Sequence, residues 1–151
     1  MPPIKNKQDL LQYLDYFNKV DYDNFPGYFS HDAAVDINGV IKTTGRQSFV
    51  DFIRAQREHM LENLTVDACY FAKGAITTQS TVIFTPLRDI NEAQAGLPPV
   101  KLGQQIQQKF LIIYLLDDSD RIRGLHAAFA APATIIEKGS EDETKLTRSR
   151  L

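Results

Sequence analysis

The sequence predicts an α+β fold: helices from the first half of the chain cover one face of a strongly curved antiparallel sheet. Three observations carry this reading. Apolar residues recur at helical spacing over 7–19 and again from Arg46 to about residue 61. From residue 65 onward the pattern changes to short runs rich in β-branched residues, such as ITTQSTVIFT at 76–85. Two tight polar turns, Lys73-Gly74 and Asp117-Asp118-Ser119-Asp120, join such runs as hairpins. Helices gathered early and strands gathered late are the α+β arrangement.

Taken in order, residues 1–5 form a loose lead-in. The first helix, 7–19, places Leu10, Leu11, Leu14 and Phe17 three to four apart, with Tyr13 and Tyr16 alongside. Asp21-Tyr22-Asp23 starts a second, short helix ending near Phe29, made irregular by Pro26 and Gly27. A short strand covers 32–38 and stops at Gly39. Thr43-Thr44-Gly45 then caps a long helix over 46–61, whose apolar face holds Phe49, Val50, Phe52, Ile53 and Met60, with Gln56 among them. Strands follow at 65–71 and 76–85. The connection 86–102 contains Gly96-Leu97-Pro98-Pro99 and is long enough for a lid or a binding loop. The last two strands, 104–116 and 121–129, form the central hairpin. The run 110–116 is almost continuously apolar, so both its faces must be covered. Pro132 closes the sheet. Residues 138–151 have almost no apolar side chains and read as a disordered tail, which leaves one domain at 1–137.

Composition excludes several classes. The chain has 151 residues, 43% hydrophobic and 24% charged, enough apolar material for one core. A net charge of −2 without a basic stripe argues against a nucleic-acid partner. One cysteine, Cys69, rules out an internal disulfide and a Cys-rich metal site. Three scattered histidines have no ligand spacing, so no metal is expected. No phosphate-binding glycine loop occurs, so no nucleotide cofactor is expected either. No apolar stretch reaches 18 residues and the N-terminus lacks a signal-peptide core, which points away from a membrane and to the cytoplasm. The sequon Asn63-Leu64-Thr65 is then a chance match.

Two segments carry a family likeness. The first is Tyr28-Phe29-Ser30-His31-Asp32-Ala33-Ala34-Val35-Asp36, followed by a glycine and by Thr44-Gly45-Arg46 opening a helix. The second is Asp120-Arg121-Ile122 before an alternating strand. Over roughly residues 10–129 the chain resembles the nuclear-transport-factor-2-like (NTF2-like) superfamily, nearest to the SnoaL-like polyketide cyclases and ketosteroid isomerases. The resemblance implies a cone-shaped sheet wrapped around the helices and enclosing a pocket. It also implies a cofactor-independent enzyme of natural-product biosynthesis. Such an enzyme works by acid–base chemistry on an apolar polycyclic or polyketide-derived intermediate, as a cyclase, isomerase, or rearrangement or dehydration catalyst. A fungal or actinomycete source is implied too, and the Pro- and Asp-rich style leans to a fungus. The alternative is a non-catalytic small-molecule-binding or dimerisation module of the same fold.

The isomerases supply a residue-level comparison. Their oxyanion-binding tyrosine corresponds to Tyr13, eight residues before Asp21. Their general base falls on Ile37, between Asp36 and Asn38, and their second oxyanion donor on Ile112. With two of three positions apolar, the steroid reaction by that mechanism is not expected. The same count puts Phe110, Ile112 and Tyr114 on the pocket face, because alternate strand residues share a face. Leu111, Ile113 and Leu115 then point outward as an apolar ladder and predict a homodimer, unless residues 131–136 cover that face.

The candidate catalytic groups are Asp36, Tyr114, His126 and Tyr13. Tyr13 and Tyr114 stay protonated at neutral pH and can hold a developing oxyanion. Asp36 in an apolar cavity would have a raised pKa suited to proton transfer. The isomerase count turns Asp36 outward, and a bulge would turn it inward with Ala34 and Asn38. His126 lies mid-strand between Gly124 and Ala128, and the same count turns it away from the pocket. Candidate substrate contacts are Asn38, Phe52, Gln56, His59, Phe110, Ile112 and Phe129.

Overall fold

The computed structural model describes residues 2–137. The tail read at 138–151 lies outside the described residues. Helix α1 (Lys7–Asn18) begins at Asn6, whose side chain accepts the Asp9 N–H at 2.9 Å and satisfies one of the helix's free donors. Its buried face is Leu10, Tyr13, Leu14 and Phe17, each worth about 1.5–3 kcal/mol of apolar burial for the larger side chains. A 3-10 turn (Phe25–Tyr28) follows, where Pro26 and Gly27 prevent a longer helix. The lead-in is not loose. Ile4 is buried and its N–H donates to the Asp120 carbonyl at 2.9 Å, pinning the N-terminus to the acidic turn.

The strands are β1 (Phe29–Ile37), β2 (Ile41–Thr44), β3 (Met60–Ala72), β4 (Ala75–Pro86), β5 (Gln104–Leu116), β6 (Ile122–Phe129) and β7 (Thr134–Glu137). They form one open sheet in the order β2-β1-β6-β5-β4-β3, with β7 beside the first residues of β5. The sheet is mixed rather than purely antiparallel, because β1 and β6 run parallel. They are far apart in sequence, so the intervening chain provides the crossover that parallel pairing needs. Register shifts between Val66 and Ala68 and between Leu115 and Leu116 mark local bending of the long strands. Among the described residues the result is a two-helix, seven-strand α+β cone.

Helix α2 (Arg46–Arg57) is shorter than its apolar pattern suggests. Met60 pairs with Pro86 and the His59 carbonyl accepts the Leu87 N–H at 2.8 Å, so sheet pairing claims the residues that would extend the helix. β3 therefore starts at Met60 rather than residue 65, and β1 at Phe29 rather than residue 32. β2 and β7 have no counterpart in the sequence reading. The central hairpin is as read: Phe110 pairs with Phe129, Ile112 with Ala127 and Tyr114 with Leu125. β7 extends the sheet alongside Gln104–Gln107 instead of folding over its outer face.

The connection after β4 is ordered. Ile90 and Val100 pair across it and are buried, and Gln94 and Leu97 close a tight turn. Ala95 (φ 52°) and Gly96 (φ 84°) take that turn in left-handed conformations. A Cβ on Gly96 would stand 2.9 Å from Phe129 Cε2, so only glycine lets the turn sit on that ring.

Candidate functional site

Alternate residues of the concave sheet face converge on an interior cavity. β5 contributes Phe110, Ile112 and Tyr114; β6 contributes Leu125, Ala127 and Phe129; Ile37 comes from β1. Helix α1 adds Tyr13 and Phe17, and α2 adds Phe49, Phe52, Ile53 and Gln56. The tight turn after β4 closes one side with Ala95 and Leu97. The empty space is about 690 Å³ including the part open to solvent, and a water-sized sphere can centre itself in about 90 Å³ of it. Four lining side chains carry a polar atom: Tyr13, Tyr114, Gln56 and Glu62. The isomerase-matched positions Tyr13, Ile37 and Ile112 all face this space.

Glu62 is the carboxyl that sequence reasoning missed. It lies on the inward face of β3 with Met60 and Leu64, opposite Phe84 of β4. Reading the helix through residue 61 left Glu62 in an unassigned link. A strand started at Met60 places it on an apolar face by period 2. Its side chain is 10% exposed, and its Oε1 stands 3.5 Å from Nη2 of Arg57, itself 5% exposed. Arg57 also lies 5.1 Å from the centre of the Phe17 ring and donates to the Phe17 carbonyl at 3.4 Å. Burial raises the Glu62 pKa, while the Arg57 charge and hydrogen bond pull it part of the way back. Glu62 also borders a polar groove on its other side, shared with Arg57, Asn18, Gln105 and Gln107.

The two tyrosines meet edge to face, ring centres 6.2 Å apart. Tyr13 also packs on Tyr28 and Phe29. Phe110 packs on Phe129 at 5.2 Å instead of filling the cavity against the tyrosines. Burial raises the pKa of Tyr13 and of Tyr114, and the Glu62 charge raises both further. Both phenols are therefore held protonated, as donors, within the electrostatic reach of a carboxylate.

Other candidate residues lie elsewhere. Asp36 is on the convex face; its carboxylate accepts the Gly39 N–H at 2.7 Å and closes the β1–β2 turn. His126 pairs with Asp36 across the parallel strands and is exposed on that same face. The register is irregular earlier in both strands, between Phe29 and Ala34 and around Arg123, but from Ala34 and Gly124 onward the alternation is regular and places both residues outside. Asn38 does not line the cavity. Its Oδ1 accepts the Phe129 N–H at 2.8 Å and its φ of 56° turns the chain there. His59 borders an outer vestibule rather than the interior, with Arg88 Nε 3.2 Å from its Nδ1. Among the described residues no group of three or more His, Cys, Asp or Glu is placed to hold a metal. No helix there is long and apolar enough to cross a membrane.

The architecture, an open cone closed by two helices around an apolar cavity, is an NTF2-like fold. A polyketide cyclase candidate from Xanthomonas campestris pv. campestris superposes with a TM-score of 0.66 at 20% identity, covering 80% of this chain and 87% of that one. One from Silicibacter sp. TM1040 gives 0.65 at 23%, covering 80% and 85%. An LEH-like epoxide hydrolase of M. tuberculosis gives 0.63 at 13%, covering 80% and 78%. At these identities the likeness is one of fold. No family model matches the sequence, and no curated protein matches it.

Proposed function

We propose that this protein is a cofactor-independent enzyme that moves protons on an apolar, carbonyl-bearing small molecule, in the manner of a cyclase, isomerase, or rearrangement or dehydration catalyst. The observation that supports it is the meeting of one buried carboxyl, Glu62, and two buried phenols, Tyr13 and Tyr114, on one apolar cavity. In the reading that follows, Glu62 as carboxylate removes a proton from the carbon next to the substrate carbonyl. The C–H electron pair becomes the enolate double bond, and the carbonyl π pair moves onto oxygen. Tyr114 and Tyr13 donate hydrogen bonds to that oxygen. Protonated Glu62 then returns the proton to the same carbon or to another. A base with a raised pKa suits this exchange near neutrality. The neighbours' printed names fit natural-product chemistry.

The direct test is deuterium entry at C2 of 1-tetralone in D2O, followed by NMR. Exchange catalysed by the protein and lost in Glu62→Gln supports the reading. Binding without catalysed exchange supports the non-catalytic binding module instead.

The convex face supports a homodimer. Leu111 is 45% exposed and Ile113 40%, and Tyr70 lies outward in the same row through Thr77. Contiguous apolar side chains of this kind mark protein contact surfaces. Light scattering should give twice the chain mass, and a monomer would remove this part of the proposal.

A further inference from the structure

Gln56 stands where two spaces meet. It lines the interior beside Phe52, and it lines the outer vestibule beside Val40, His59 and Gln94. Its backbone carbonyl accepts the His59 N–H at 3.0 Å. Among the described residues its carboxamide has no hydrogen-bond partner, so a donor and an acceptor are available to a ligand. The interior is tight: the 90 Å³ open to a water-sized sphere is less than the roughly 150 Å³ cavity known to take one benzene. The vestibule offers about 380 Å³ by the same measure. A ligand larger than one ring, with its reacting end at Tyr13, Tyr114 and Glu62, can extend past Gln56 into that vestibule.

Building on the acid–base reading of the same cavity, we propose that Gln56 is a specificity-determining residue at the neck. The substrate class it selects is an elongated apolar molecule bearing two oxygen functions. One is the carbonyl held by the phenols, and the other is a hydroxyl or second carbonyl that pairs with the Gln56 amide. Everything between them meets only apolar walls, so a substrate lacking the second oxygen leaves the neck amide unpaired.

The test compares 1-tetralone with 6-hydroxy-1-tetralone, whose hydroxyl lies at the opposite end from the carbonyl, by NMR titration at pH 6.5. The hydroxylated ketone should bind the unaltered protein about three- to ten-fold more tightly, the worth of one neutral hydrogen bond. Gln56→Met keeps the length of the side chain without its polar atoms. It should abolish that preference, so that the two ketones bind within about two-fold of each other. Tyr114→Phe should weaken both ketones by a common factor. A preference that survives in Gln56→Met, and in Gln56→Leu as a second shape, overturns the assignment, as does a 1-tetralone that binds as tightly as its hydroxyl derivative. If neither ketone binds the unaltered protein, the carbonyl reading of the cavity fails first, and the two failures are told apart. Thermal melts of each variant establish that the comparison is made on folded protein.

Discussion

Asp36 and Glu62 are both carboxylates on strands of one sheet, yet they live in different chemistry. Asp36 is on the convex face of β1, half-exposed, where a turn N–H at 2.7 Å pairs with it. Glu62 is on the concave face of β3, where burial opposes its charge and only Arg57, 3.5 Å away, compensates. One residue of strand parity separates these outcomes. The difference teaches that the acid–base candidate in a cone fold is chosen by the face it occupies, not by its place in a familiar motif. Arg57 matters here as much as Glu62 does, since it keeps the buried carboxyl within reach of ionisation.

The comparison breaks most sharply in Glu62→Gln against Asp36→Asn. The first should lower catalysed deuterium exchange into 1-tetralone by about 10²- to 10⁴-fold, the usual worth of a positioned base. The second should stay within about two-fold, as for a solvated surface group. If Asp36→Asn proves the damaging change, the convex face is the site and the cavity is not. Tyr114→Phe should cost somewhat less, about 10²- to 10³-fold in the exchange rate, by removing one oxyanion donor.

Arg57→Met sharpens the comparison through pH. Exchange should rise as pH increases through the Glu62 pKa, which lies above the ordinary 4.5 because burial favours the neutral acid. Without Arg57 that limb should move to higher pH. Stability should run the opposite way with pH, for the same reason. The folded chain holds the Glu62 proton more tightly than the unfolded chain. Its contribution is therefore fully present below the unfolded pKa and is lost as pH rises through the folded one. Melting temperature followed against pH should show that decline in the unaltered protein, and a flatter profile in Glu62→Gln. Losing one partner of a buried pair costs about 3–5 kcal/mol when the other stays charged, so Arg57→Met should melt lower at alkaline than at acid pH.

Smaller effects are expected away from the carboxyl. Gly96→Ala forces a Cβ against Phe129 at a left-handed φ and should cost about 1–3 kcal/mol, read as a melting temperature lower by several degrees. On the convex face, Ile113→Lys should halve the mass seen by light scattering while leaving deuterium exchange within about two-fold. An exchange rate that falls with the dimer would mean that the two faces are not independent.

Much of this was legible in the chain. Period-2 alternation through Phe110, Ile112 and Tyr114 assigns the concave wall, because neighbouring strand side chains must point to opposite faces. Helical spacing puts Tyr13 on the buried face of α1 for the same kind of reason. Tyr13, Tyr114, Phe52, Gln56, Phe110, Ile112 and Phe129 all line the cavity as the pattern expects. The strand count taken from the isomerase comparison also turns Asp36 and His126 outward, and it is their acid–base chemistry that makes them attractive as site residues. What local pattern does not contain is where one element yields to another. Residues 58–61 continue a helical rhythm, and only pairing of Met60 with Pro86 makes them the start of a strand. That long-range pairing decides that Glu62 faces inward and that Arg57 meets it. Hydrogen bonds between segments distant in sequence depend on the whole sheet being assembled, so the central hairpin was readable from the chain, and the buried carboxyl beside it only from the fold.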